Sequence, residues 1–177
     1  MARTTFQGPV RSLGGFYTQG PNTIVEVANG TNTLTLDVAN YAGRTLRTND
    51  ATLVITLPAI NALPDPVTSG PGADPNTLNN LGATYRVFIE TSATAVSIQT
   101  NGTDKFVGSL MMVDTDSSGA VSGYAPSASN DVINLNGTTT GGIAGSWVEI
   151  TAVDANKYFV TGILLGSGSV ATPFADA

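Results

Sequence analysis

The side chains able to do chemistry in this sequence are few. Neither histidine nor cysteine occurs. That removes a Ser-His-Asp triad, a His general base, an imidazole metal site, a thiol nucleophile and Cys-ligated zinc. Carboxylates remain. Asp114-Thr115-Asp116-Ser117-Ser118-Gly119 has the alternate oxygens and following glycine with which a tight loop wraps calcium. The twelfth position of such a loop would be Ala125, not glutamate, and the same residues make an ordinary hairpin loop that needs no metal. Glycoside hydrolysis needs only two carboxyl groups, about 5–9 Å apart. The only glutamates are Glu26, Glu90 and Glu149. Glu90 shares a strand face with Arg86, and Glu149 with Trp147, so structural pairing or a solvated face accounts for each. Trp147, the one tryptophan, could stack on a sugar or a subunit partner, or pack a core or seam. No glycine-rich segment follows a strand and opens a helix, so no phosphate cradle is expected. The chain is therefore expected to be no enzyme and to need neither cofactor nor metal.

The elements that carry these residues are strands. Apolar residues recur at every second position, as on a half-buried sheet. The pattern covers Leu34, Leu36 and Val38; Leu53, Ile55 and Leu57; Tyr85, Val87 and Ile89; Val96 and Ile98; Ile133 and Leu135; and Val148, Ile150 and Ala152. Phe106–Val113 and Tyr158–Leu165 are apolar at both parities and read as central strands, or as strands with one face in an interface. With Ile24–Ala28 this predicts about nine strands, from the alternation alone. Asn-Gly-Thr occurs at Asn29, Asn101 and Asn136. Each is formally a glycosylation sequon, and each reads first as a type I′ hairpin turn. The one weak helical signal is Asn76–Ala83. Short strands with Gly-rich and Asn-rich turns predict an all-β fold, a β-sandwich or jelly-roll-like body with an extended N-terminal arm.

The arm is residues 1–21 and the body is 22–177, with a proline-rich surface loop at 58–83. Four glycines, two prolines, two arginines and no acid mark the arm. Its apolar residues, Phe6, Val10, Leu13, Phe16 and Tyr17, have no helical period. They read as anchors along an extended segment; a solvated tail tends to carry fewer. Together with Arg3 and Arg11 they are the expected partner-binding residues. Phe106, Trp147 and Tyr158 are the expected oligomer seam.

Of 177 residues, 11% are charged, against about 25% in ordinary domains. Thr (25), Gly (20), Asn (14) and Ser (13) fill the surface. The net charge of −6 is uneven: residues 1–47 carry +2 and residues 48–177 carry −8. Such a body repels nucleic acid. No apolar run is long enough to span a membrane, and the opening residues lack the apolar core of a signal peptide.

The opening Met1-Ala2-Arg3-Thr4-Thr5-Phe6-Gln7-Gly8-Pro9-Val10-Arg11-Ser12 resembles the start of small virion proteins of tailed bacteriophages. So do Gly82–Val87, Asp104–Gly108, Leu135–Gly142, Trp147–Ile150, Leu165–Gly168 and Ala171–Phe174. The likeness covers roughly half the chain. It implies a capsid decoration (cement) or head-fibre protein on the outer surface of the virion. Its partners would be the major capsid protein and two further copies in a homotrimer. The alternative is a glycan-binding adhesive module of a head or tail fibre.

Overall fold

A computed structural model describes residues 24–28, 30–62, 80–116 and 119–177. The arm, with its seven expected contact residues, lies outside these, as does most of the proline-rich loop. The described chain runs β1 (Ile24–Val27), β2 (Thr33–Thr35), α1 (Val38–Tyr41), β3 (Arg44–Thr48), β4 (Thr52–Thr56), β5 (Thr84–Ile89) and β6 (Ala95–Gln99). It continues through β7 (Lys105–Gly108), β8 (Leu110–Asp114), β9 (Val121–Tyr124), β10 (Val132–Leu135), β11 (Trp147–Asp154), β12 (Lys157–Gly166) and β13 (Phe174–Ala175).

These strands form the all-β, sandwich-like body that the alternation predicts. The larger sheet has the order β1-β3-β5-β11-β12-β8-β9, with β7 also on β12; the smaller has the order β13-β10-β6-β4-β2. The alternating residues close the core between them. Leu53, Ile55, Val96, Ile98 and Ile133 from the smaller sheet meet Tyr85, Val87, Ile89, Val148 and Ile150 from the larger, all buried. Each large side chain so buried contributes about 1.5–3 kcal/mol before entropic costs.

The winding differs from a run of hairpins. From β1 to β6 the chain passes from one sheet to the other at every connection. β1, β3 and β5 lie parallel in the larger sheet, and β2, β4 and β6 parallel in the smaller. Ile24 pairs with Thr45 and Thr33 with Val54, so one circuit takes 21 residues. This half is a flattened parallel coil. Antiparallel pairing begins where β11 joins β5 and β10 joins β6.

The Asn-Gly-Thr expectation is therefore corrected. Asn29-Gly30-Thr31 lies between β1 and β2, Asn101-Gly102-Thr103 between β6 and β7, and Asn136-Gly137-Thr138 between β10 and β11. All three connections change sheets. Gly30, Gly102 and Gly137 do have positive φ. Asn101 and Asn136 do not, so neither turn has the two left-handed positions of type I′. Instead the asparagine side chains fold over the turn. Asn101 Oδ1 accepts from the Thr103 and Asp104 amides at 3.0 and 2.9 Å, and Asn136 Oδ1 from those of Thr138 and Thr140 at 2.9 and 3.0 Å. Hairpins among the described residues join β8 to β9 and β11 to β12.

Three smaller expectations also change. Val38 does not continue β2: Asp37 caps a single helical turn, its Oδ1 accepting from the Asn40 amide at 2.8 Å. The described part of the weak helical signal, Asn80–Ala83, is turn. Phe106–Val113 is two strands, because Gly108 at φ 110° breaks it. A side chain at Gly108 would collide with the Val160 carbonyl, so only glycine lets β7 and β8 lie end to end along β12.

Candidate functional site

The outer face of the larger sheet gathers most of the residues singled out for chemistry. Pairing register sets one row across it: Glu26, Arg47, Phe88, Trp147, Ile163, Met111 and Gly123, on β1, β3, β5, β11, β12, β8 and β9. A second row runs Thr45, Arg86, Glu149 and Thr161. A third runs Leu165, Val113 and Val121. These are the residues of opposite parity to the core.

The face has two halves. On β12 from Phe159 to Leu165, and along β8 and β9, no outward position carries a charge. Met111 is 52% exposed, Val121 53% and Ile163 41%. Phe159 is exposed, and Val107, Val113 and Leu165 are half-buried beside them. An apolar patch of this kind marks an interaction surface more often than a solvated one.

The other half is aromatic and ion-paired. All three glutamates sit here, each on an arginine. Arg47 Nη2 donates to Glu26 Oε2 at 2.8 Å, and its Nε lies 3.4 Å from Glu90 Oε2. Arg86 grips Glu149 Oε2 through Nη2 and through Nε at 3.1 Å. The Arg86 guanidinium also lies over the Trp147 ring, 5.8 Å from its centroid. The structural pairing anticipated for Glu149 is thus real, and Glu90 pairs across strands with Arg47, not with Arg86 on its own strand. Phe88 and Trp147 bound an open cleft of about 450 Å³ completed by Thr45 and Arg86.

The expected seam divides accordingly. Trp147 is half-buried on this face. Phe106 and Tyr158 are 1% and 0% exposed, between the sheets, and are closed to any partner. The reason is parity: in runs that are apolar on both faces, composition does not say which residue points out. Their outward neighbours Val107, Phe159, Ile163 and Met111 were not singled out. Phe88 was missed as well, although a usable signal existed, since a large aromatic stands opposite in parity to Tyr85, Val87 and Ile89. Tyr124, at the end of β9, is half-buried and packs against the core.

Of the Asp114–Gly119 loop, Ser117 and Ser118 lie outside the described residues, and its first acids accept backbone bonds. Asp114 Oδ1 accepts from the Asp116 amide at 3.2 Å, and Asp116 Oδ2 from the Gly168 amide at 2.9 Å. Among the described residues no three acidic side chains converge as a metal site would require. Other acids serve the frame. Asp50 accepts from the Thr52 and Gly30 amides; the Thr52 bond leads in holding its carboxyl below the usual range, although burial opposes it. Asp131 is held low chiefly by Lys105, 2.6 Å away, with burial opposing and the Ala177 amide assisting. Asp104 is the opposite case: burial pushes its carboxyl up, against one hydrogen bond from the Ile60 amide at 2.9 Å.

Among the described residues no helix is long and apolar enough to cross a membrane. Comparison of the chain with protein-family models, with curated proteins and with solved structures gives no match.

Proposed function

We propose that this chain is a structural virion protein that decorates and stabilises a phage capsid by binding the major capsid protein, acting as a homotrimer on the capsid's outer surface. One observation carries the reading: on the larger sheet's outer face, β12 from Phe159 to Leu165 together with β8 and β9 presents exposed and half-buried, mainly apolar side chains and no charge, in a chain of net charge −6. Burying such a face between copies removes apolar surface from water without stranding a charge. Closed symmetry is the common way to do so. The resemblance of the opening and C-terminal segments to small virion proteins supplies the setting. Capsid contact falls to the arm, through Arg3, Phe6, Val10, Arg11, Leu13, Phe16 and Tyr17, by strand addition or groove filling.

Sedimentation of the full chain at high micromolar concentration tests the assembly, with a trimer expected. Met111→Asp with Ile163→Asp should give a monomer with an unchanged circular dichroism spectrum. A wild-type monomer at every concentration would overturn the trimer. Electron microscopy of capsids mixed with full-length protein, or with protein lacking residues 1–20, tests the partner. Equal occupancy by both would remove the arm from the contact.

A further inference from the structure

We propose that the cleft on the β3, β5 and β11 side of this face binds a neutral saccharide chain. The claim concerns the ion-paired half of the face and does not depend on the assembly reading.

A sugar ring offers two kinds of surface, an apolar face of C–H groups and a rim of hydroxyls that donate and accept. The cleft offers both complements. Phe88, 36% exposed, and Trp147 are cross-strand neighbours and supply the aromatic wall. Arg86, on the cleft wall, and Glu149, on the wall of the adjoining recess, supply a donor and an acceptor side by side, already fixed by their mutual bond and by the Trp147 ring. Glu149 uses Oε2 for both bonds to Arg86. Its Oε1 and the Arg86 Nη1 are thus placed to take neighbouring hydroxyls of one ring, and little ordering is left to do on binding.

The shape favours a chain over a single ring. The cleft of about 450 Å³ adjoins a recess of about 130 Å³ that shares Thr45 and Arg86 and adds Gly43, Arg44, Thr84 and Glu149, with Arg44 Nη1 donating to the Asn40 carbonyl at 2.8 Å. Thr84, Arg86 and Phe88 alternate along β5 through both, a run of about 13 Å at ~3.3 Å per residue. The site is open, as an extended oligomer lying along the sheet requires.

The pairing also selects for charge. An anion would compete with Glu149 for Arg86, and a cation would have to displace Arg86 from the Trp147 ring. A neutral ligand does neither.

Because Trp147 is the only tryptophan, its emission reads the site directly. The full chain is titrated with gluco-, manno-, galacto- and N-acetylglucosamine tetrasaccharides and their monosaccharides. The same titration is run on Met111→Asp with Ile163→Asp, so that a cleft closed by self-association is distinguished from one that binds no sugar. At least one tetrasaccharide should give a saturable change in one of these proteins, with Kd near or below about 1 mM, and bind more tightly than its monosaccharide. Phe88→Ala and Glu149→Gln should each weaken that binding about tenfold or more, with thermal unfolding retained as the control on folding. Glu149→Gln, by freeing Arg86, should gain affinity for a glucuronate tetramer. Silence in both proteins with every neutral tetrasaccharide up to about 50 mM, far above the Kd expected, would overturn the proposal. So would binding untouched by both Phe88→Ala and Glu149→Gln, or a preference of the wild type for the anionic oligomer.

Discussion

At the scale of single residues, the buried polar groups divide by whether they are satisfied. The Tyr85 hydroxyl is buried with no hydrogen-bond partner among the described residues, and burial, with the charge of Asp37, pushes its pKa up to about 12. Tyr158 is also raised by burial, yet its hydroxyl donates to the Pro58 carbonyl at 2.6 Å. Tyr85→Phe should therefore leave stability unchanged or raise it, while Tyr158→Phe should cost about 0.5–1.5 kcal/mol in urea unfolding. Equal losses would contradict the difference in pairing. The carboxylates predict opposite responses to acid. Asp50 and Asp131 are depressed in the folded state, so their contribution is complete above the unfolded value of ~3.9 and is lost as pH falls below it through their folded values. Asp104 is raised, so its ionisation costs stability at neutral pH, and the cost is relieved as pH falls through its folded value toward the unfolded one. Asp104→Asn keeps an acceptor for Ile60 and removes the buried charge. It should raise Tm at pH 7 by about 2–4 °C, the shift that ~1 kcal/mol produces in a chain of this size. Asp131→Asn should lower stability at pH 7 by about 1–3 kcal/mol and flatten the loss below pH ~4. Thermal melts from pH 7 to 3 read both.

At the scale of elements, closures matter more than strand propensities. The chain leaves β4 and returns to β5 through a base that is tied together. The Asn80 amide donates to the Asn61 carbonyl at 3.0 Å, the Asn61 amide donates to Asn80 Oδ1 at 2.8 Å, and Asn80 Nδ2 donates to the Ala59 carbonyl at 2.9 Å. The ends of the excursion are thus already together. Replacing residues 63–79 by a short Gly-Ser linker should keep Tm within a few degrees, since loop length adds closure entropy only slowly. Asn80→Ala should cost more than the whole replacement, because the buried Asn80 side chain makes the two bonds that tie Ala59 and Asn61 to it, and truncation removes both. The reverse order in differential scanning calorimetry would show that the excursion itself holds the fold. Gly108→Ala should be the costliest change on the β7–β8 seam: the new side chain needs a left-handed backbone and meets the Val160 carbonyl.

At the scale of the whole molecule, charge and winding each predict a measurable behaviour. Two copies of a chain carrying −6 repel one another, while the part of the face proposed to join them, β12 from Phe159 to Leu165 with β8 and β9, carries no charge. Raising salt from 0.1 to 1 M shortens the Debye length from about 10 to about 3 Å and should tighten self-association. Weakening by salt in sedimentation runs would mean that ion pairs, not apolar burial, hold the copies together. Winding predicts slow folding. Neighbouring strands of the coil are 21 residues apart in the first circuit, and more in the next, where Thr52 pairs with Ala95. Such non-local pairing places refolding in the range of milliseconds to seconds, to be read by stopped-flow tryptophan emission.

The alternation of apolar residues determined by itself that the chain is all-β with two facing layers, and it named most of the core, from Leu53 and Ile55 to Val148 and Ile150. It could do so because side-chain direction along a strand has period two whatever the strand pairs with. β3 was not legible, because Arg44-Thr45-Leu46-Arg47-Thr48 offers one apolar residue and earns its place by parallel pairing on both sides. Which strands pair is a long-range matter: an Asn-Gly-Thr turn reverses the chain equally well within a sheet or between sheets. The candidate site was half legible. Trp147 and Glu149 were visible as residues sharing one strand face, and Arg86 as sharing another with Glu90. Only the register of four strands brought Phe88, Ile163 and Met111 into line with Trp147, and only the packing of the second sheet decided that Phe106 and Tyr158 face inward while Val107 and Phe159 face water.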